Sequence, residues 1–295
     1  MAITAKDVKE LRERTGAGML DCKKALTECE GDVEKAIDWL REKGIAKAAK
    51  KESRIAAEGL SKVIAEGNTA CLVEVNTETD FVAKNEQFLT LLDLTCDLIL
   101  KNKPASLDEA LALVVDGKTL NDLYVDAVAT IGEKITLRRF EILEKTDNDV
   151  FGIYMHNGGQ HSVACVLTNS SDATLAKYMA MQIASMSPQY ISRDEMPVEV
   201  VEHERQIQTE IVRGDEKFAG KPEKVIEGAI EGKVSKSLQD MCLVDQLYIL
   251  DSNKKCGQLL KENNTSVSRF THYLVGEGIE KRQENFADEV AKQMA

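Results

Sequence analysis

Ala70-Cys71-Leu72-Val73-Glu74-Val75 runs into Asn76-Thr77-Glu78-Thr79-Asp80-Phe81-Val82-Ala83-Lys84, and that segment leads into Glu86 to Leu100. The first run alternates with period two, as a strand requires. The last repeats its apolar residues every three to four positions, as a helix requires. The middle is therefore a strand-to-helix corner that sets a small acid beside a large aromatic. By periodicity alone Phe81 is in helical phase with Phe88, Leu92 and Ile99. That favours a ring buried under the helix, with Thr79 or Asp80 as a simple N-cap. A second reading makes the corner a rigid wedge presented to a partner, and the residues leave both open.

The same pattern recurs further along. Gly59-Leu60 through Gly67-Asn68 to Val75, then a helix to Leu100, parallels Gly152-Ile153 through Asn157-Gly158-Gly159 to Leu167, then a helix to Met186. Each copy reads as hairpin, strand and long helix. Cys71, Val73 and Val75 alternate with Ala70, Leu72 and Glu74, and Val163, Cys165 and Leu167 with Ala164 and Val166. Such alternation predicts antiparallel sheets packed on helices, with one wetter face. Further strands are expected over Ile135 to Leu143 and near Leu247-Tyr248-Ile249-Leu250, the latter closing the second sheet.

Outside this core the chain reads as helical. Residues 1–44 predict three short helices: one capped by Thr4 and running to Glu13 (Val8, Leu11 inward), one from Met19 to Cys29 (Leu20, Ala25, Leu26 inward), and one capped by Asp32 from Val33 to Lys43 (Ala36, Ile37, Leu40 inward). Thr15-Gly16-Ala17-Gly18 and Glu30-Gly31 break them. Lys47 to Arg54 is basic and reads as a linker or exposed helix. Between about Pro188 and Met241 lies an inserted helical hairpin, Pro197 to Arg213 and Pro222 to Met241. Val200, Ile207 and Ile211 line one arm, and Ile226, Ile230, Val234 and Leu238 the other. One apolar seam of this kind packs against itself or a second copy in coiled-coil fashion. Gly276-Glu277-Gly278 precedes an amphipathic helix predicted over Ile279 to Met294, with Phe286 and Val290 inward. The expected divisions are 1–54 (helical module and linker), 55–144 and 145–262 (core subdomains, the second including the hairpin at about 188–241), and 263–295 (C-terminal module).

Composition narrows the function. With 43% hydrophobic residues over 295 positions the chain can bury a core, which excludes intrinsic disorder. A formal net charge of −12 disfavours phosphate-backbone gripping, so no direct nucleic-acid binding is expected. No apolar run is long enough for a membrane span or signal peptide. Seven scattered cysteines without C-x-x-C spacing argue against zinc or disulfide frameworks and fit reduced thiols in a cytosol. Four dispersed histidines (His156, His161, His203, His272) and the absence of hydrolase or P-loop motifs leave no evident active site. Gly16-Ala17-Gly18 follows a helix rather than a strand, so it is no phosphate cradle. Glu78 beside Asp80 is an acid pair in a chain full of acids and says little about acid–base chemistry.

Three motifs resemble one family. Asp7 to Leu26 is similar to the N-terminal module of bacterial elongation factor Ts, Asn76 to Lys84 to its central motif, and Val275-Gly276-Glu277-Gly278-Ile279-Glu280 to its C-terminal one. The resemblance implies an α+β fold: an N-terminal three-helix (UBA-like) module, two related α/β-sandwich subdomains with antiparallel sheets, an inserted helical hairpin and a C-terminal helical module. It implies a cytoplasmic guanine-nucleotide exchange factor for the GTPase elongation factor Tu, neither an enzyme in the bond-making sense nor in need of a cofactor. Thr79, Asp80, Phe81 and Val82 then match the element that enters the GTPase beside its magnesium and phosphates. Arg12, Met19 and Leu20 match the GTPase-facing surface of the first module, and His156 a contact on the second subdomain. Gly158 to His161 is longer than the family pattern. The hairpin serves self-association in some members, which implies a possible homodimer.

Overall fold

Helix α1 (Ala5–Thr15) starts where Thr4 Oγ1 accepts the Asp7 N–H (3.3 Å) and the Asp7 carboxylate accepts the Thr4 N–H (2.8 Å), a reciprocal cap. Gly16, at φ +68°, ends it. Helices α2 (Met19–Glu28) and α3 (Val33–Lys51) follow, the latter capped by Asp32. Val8, Leu11, Cys22, Ala25, Leu26 and Ala36 close one small core. Leu20 does not join it and is 84% exposed. The buried stripe of α2 is Cys22, Ala25 and Leu26, and a residue two positions before Cys22 points away from that stripe. The basic stretch after Lys43 continues α3 rather than forming a linker. Gly44 packs close to Ala129, Ala48 touches the neighbouring core, and Lys47 bonds Asp21 at 2.8 Å.

The computed structural model describes residues 3–280. Of the helix predicted over Ile279 to Met294, Ile279 and Glu280 are described and are not helical, and the remainder, with Phe286 and Val290, lies outside the described residues. Strands β1 (Glu58–Glu66) and β2 (Thr69–Thr77) form a hairpin, followed by α4 (Glu86–Asn102) and α5 (Leu107–Leu111). A two-residue ribbon, β3 (Val114–Val115) with β4 (Lys118–Thr119), leads to α6 (Leu120–Ile131). Then β5 (Ile135–Glu144) completes an antiparallel sheet of order β1-β2-β5. The second hairpin, β6 (Val150–His156) with β7 (His161–Thr168), is followed by α7 (Ala173–Met186). Next come the hairpin helices α8 (Val198–Gly214) and α9 (Glu223–Met241), the ribbon β8 (Leu247–Tyr248) with β9 (Asp251–Lys255), α10 (Cys256–Glu262) and β10 (Ser266–Leu274). The second sheet has the order β10-β7-β6. Its third strand is thus β10. The run near Leu247, expected to close the sheet, pairs only with β9.

The expected wetter face does not exist. Every residue of β2 is buried, and so are Ser162 to Leu167 of β7. Cys71, Val73 and Val75 meet Phe88, Leu92, Cys96 and Ile99 of α4 and Tyr124 and Val128 of α6. On the opposite side Ala70 and Leu72, with Val63 and Leu143, meet Ala164, Val166 and Tyr273 of the second sheet. Val163, Cys165 and Leu167 turn outward onto Leu175, Ala176, Met179 and Ile183 of α7. The arrangement is helices, sheet, sheet, helices, as two antiparallel sheets must pack when both faces are apolar. At Gly152 no side chain fits, because a Cβ would lie 2.0 Å from the Ala176 carbonyl oxygen of α7.

One carboxylate sits in the sheet–sheet layer. Glu74 is fully buried and accepts from Arg139 Nε (2.6 Å), Arg138 Nη1 (2.9 Å), the Gly276 N–H (2.9 Å) and Asn76 Nδ2 (3.1 Å). Burial alone raises its pKa, but the Gly276 amide and the two guanidiniums outweigh that and hold the group below the usual carboxylate range.

In the inserted hairpin, Val212 of α8 packs with Ile230, Val234 and Leu238 of α9, and Met196 and Cys242 close the base. Ile207 and Ile211, expected in this seam, are 37% and 47% exposed. Val200 does pack there, partly buried beside Val201, and the buried residues of α8 are Glu204 and Val212, while ion pairs Arg205–Glu231 and Arg213–Glu223 tie the two arms. Among the described residues no helix is long and apolar enough to cross a membrane.

Candidate functional site: the Asp80–Phe81 turn

β2 ends at Thr77, and the chain then makes a tight turn through Asp80 and Phe81 before a 3-10 turn at Val82–Lys84. Phe81 is 80% exposed whereas Phe88 is fully buried. The periodic expectation for Phe81 fails for a local reason. Helix α4 begins only at Glu86, where Asn85 Oδ1 accepts the Gln87 N–H at 2.8 Å, so neither Thr79 nor Asp80 is its cap. The intervening 3-10 turn shifts the angular phase. Ala83 becomes the buried residue, Val82 packs at the edge of the same core, and the Phe81 ring swings out.

Two carboxylates pin the backbone leading to this ring. Glu133, in the turn from α6 to β5, receives Thr77 Oγ1 (3.0 Å) and the Thr79 N–H (3.0 Å) on Oε2, and Thr79 Oγ1 (2.8 Å) on Oε1. Glu78 accepts the Lys134 N–H (2.6 Å) and Arg54 Nη1 (3.2 Å). The Lys134 ammonium in turn donates to the carbonyls of Glu52 (2.5 Å) and Arg54 (3.1 Å), tying the exit of α3 to the same turn. Asp80 pairs with Lys84 at 2.8 Å, and that bond lowers its pKa, so the turn presents an ionised carboxylate. Glu78 and Asp80 have separate cationic partners and form no acid–base pair. Neither Glu133 nor Arg54 stood out in the sequence: their partners lie 54 and 24 residues away, beyond any periodic signal.

The other candidate residues occupy two places. Arg12 is exposed on α1, and Met19 and Leu20 are 44% and 84% exposed at the start of α2. This module leans on α6, where Gly16 leaves only van der Waals room beside Thr130. The C-terminal end of α6 therefore carries both the module and, through Glu133, the Phe81 turn. His156 stands apart, exposed at the end of β6, with Nδ1 3.0 Å from the Tyr154 hydroxyl. Its hairpin tip is held in place. Ser61 Oγ donates to the Gly159 carbonyl (2.9 Å), Gln160 Nε2 to the Gly59 carbonyl (3.2 Å), and His161 Nδ1 lies 3.0 Å from His272 Nε2. Burial keeps both of those imidazoles below the ordinary histidine value.

A cleft of about 490 Å³ lies between α2, α3 and α6, lined in part by Asp21, Trp39, Lys47, Lys118 and Asp126. Two of its lysines are paired across it, Lys47 with Asp21 at 2.8 Å and Lys118 with Asp126 at 2.6 Å, and the lining as a whole carries more cations than carboxylates. Among the described residues no group of three or more His, Cys, Asp or Glu side chains is placed to hold a metal ion. All seven cysteines are free thiols.

A comparison with protein-family models matches Elongation factor TS over residues 78–277. The match takes in the Phe81 turn, Glu133, the strands from β5 onward, the hairpin insertion and His156, and it spans more than half of the sequence. The matched span carries the conclusion: the chain belongs to the elongation factor Ts family and its role lies in translation elongation.

Proposed function

We propose that the protein is the guanine-nucleotide exchange factor of elongation factor Tu and acts by pushing the Asp80–Phe81 turn into the GTPase beside its magnesium and phosphates. The observation that carries this reading is Phe81, a large apolar ring 80% exposed on a turn braced by hydrogen bonds on its strand side. GDP is held by charge-assisted contacts to Mg²⁺ and to backbone N–H groups around the phosphates, so small displacements there weaken it strongly. Burying the Phe81 ring in the partner supplies about 1.5–3 kcal/mol toward such a displacement. Asp80 brings a negative charge to the metal's water shell. One carboxylate makes a poor magnesium site by itself, so its part is displacement rather than capture.

Arg12, Met19, Leu20 and His156 serve in this reading as docking contacts that hold the turn in place, and Thr79 and Val82 flank the ring. No bond is made or broken by the protein, so it is a cytoplasmic binding factor and not an enzyme, and it needs no cofactor. The exposed Ile207 and Ile211 make the hairpin the place for a second copy to pack. The test is release of a fluorescent GDP from the GTPase with and without the protein. Acceleration at micromolar concentration is expected. A complex that forms with an affinity indifferent to GDP would make the protein a scaffold instead, because linkage forbids that result for an exchanger.

A further inference from the structure

We infer that Glu133 is a positioning residue for nucleotide exchange: its carboxylate sets the Asp80–Phe81 turn in the geometry that enters the partner. This rests on the exchange reading above. The grounds are geometric. One side chain receives three hydrogen bonds, all from residues within four positions of Phe81: Thr77 Oγ1, the Thr79 N–H and Thr79 Oγ1. Thr79 Oγ1 then accepts the Val82 N–H at 3.4 Å, so the same contact is passed across the ring to its other flank. On the strand side the turn has no ladder partner past Thr77, where β2 stops pairing with Ile135 of β5. From that point side chains brace the backbone as far as Thr79, and the turn's own bonds, from the Ala83 N–H to the Thr79 carbonyl (3.4 Å) and from the Lys84 N–H to the Phe81 carbonyl (3.2 Å), continue beyond it.

Glu133 is itself firmly placed. Gly132, at φ +91°, closes α6 by donating to the Val128 carbonyl at 3.1 Å, and β5 begins three residues later. The clamp is thus mounted between a packed helix and a packed strand, with Glu133 itself half-buried. A turn without it has to be ordered when it docks, and that ordering is charged to the step in which the ring inserts.

The experiment compares Glu133→Ala, Glu133→Gln, Phe81→Ala and the Phe81→Ala/Glu133→Ala double variant in single-turnover release of fluorescent GDP, across a range of factor concentrations. Glutamine keeps an oxygen for Thr77 and the Thr79 N–H, and its amide can donate to Thr79 Oγ1, so all three contacts survive without the charge. The maximal release rate of Glu133→Ala falls about tenfold while the half-saturating concentration stays within about twofold. Glu133→Gln stays within about twofold of the parent. The double variant is no slower than Phe81→Ala, because the two changes act through one ring. In parallel, amide hydrogen exchange across residues 78–82 quickens in Glu133→Ala and not in Glu133→Gln. The inference is overturned if Glu133→Ala releases GDP at the parent's rate, or if its effect multiplies that of Phe81→Ala. A raised half-saturating concentration at unchanged maximal rate also overturns it, since that is merely lost folded protein. If Phe81→Ala itself leaves release unchanged, the exchange reading fails and the clamp falls with it.

Discussion

Replacing Phe81 by alanine separates the two fates open to an aromatic at a strand–helix corner. The ring is 80% exposed, so the fold loses little when it goes, about 0.5 kcal/mol or less. Phe88 is the internal control: seven positions further on and fully buried against α4's core, its truncation costs about 3–5 kcal/mol. Thermal melts followed by circular dichroism should therefore leave Phe81→Ala at the parent's Tm and lower Phe88→Ala by roughly 10 °C. Exchange should respond in the opposite way. If the ring is buried only in the partner, its removal takes about 1.5–3 kcal/mol from the inserted state, a loss of about 10- to 150-fold in GDP release. Stopped-flow release from the GTPase at saturating factor reads that directly. Two results would refute the reasoning: a Phe81→Ala protein that melts several degrees low, which returns the ring to its own core, or one that releases GDP as fast as the parent.

The remaining predictions concern the frame. Glu74 has a depressed pKa in the fold, so the stability it provides is fully present above its ordinary value of 4.5 and is lost as pH falls through the lower folded value. Urea titrations from pH 7 to 3 should show the parent's advantage over Glu74→Gln shrinking in that window. Gly152→Ala forces a Cβ against the Ala176 carbonyl at 2.0 Å and should destabilise by about 2–3 kcal/mol, read from the urea midpoint. Ile207→Glu with Ile211→Glu alters an exposed face of the hairpin, so the melting temperature should hold while sedimentation velocity shows the parent as a dimer and the variant as a monomer.

Local rules made much of the architecture readable. The caps at Thr4 and Asp32, the glycine breaks and the period-two runs of β2 and β7 are visible within a few residues of one another, and they placed the helical module, both hairpins and the arms of the insertion. The strand that closes the second sheet was not readable in this way. A bulge between Val267 and Arg269 shifts its register, so Val267 joins the core under α7 while Tyr273 joins the layer between the sheets. Alternation cannot survive such a shift, and the greasier Leu247 to Leu250 drew the assignment instead. The dry second face of β2 was hidden similarly. Ala70 and Glu74 look like a solvated edge until another sheet covers them, and the cations that satisfy Glu74 come from β5, more than sixty residues away. The inward reading of Leu20 fails for a different reason: helical geometry from Cys22 and Leu26 turns it outward, as its alternative surface reading expects.

On the proposed exchange reading, a wedge belongs on this frame and not on a flexible loop. By reciprocity, whatever factor weakens GDP in the partner is the factor by which GDP weakens the complex, so all the work comes from the difference between docked and inserted states. A mobile turn would give back part of that difference as ordering entropy at insertion. Phe81 avoids this by position. It lies four residues past the end of β2, whose neighbours β1 and β5 pair along its whole length and whose both faces are buried. The Glu74 cluster ties β2 and β5 to the Gly276 backbone at one point, and Glu133 and Lys134 tie β5's entry to the turn at another. The exposed ring adds almost nothing to its own fold, and Glu74, fully buried, has no surface to offer a partner. Stability and exchange should accordingly separate by residue: changes at Glu74 move the melt, changes at Phe81 move GDP release, and Glu133 is the position where a change in local order alone reaches function.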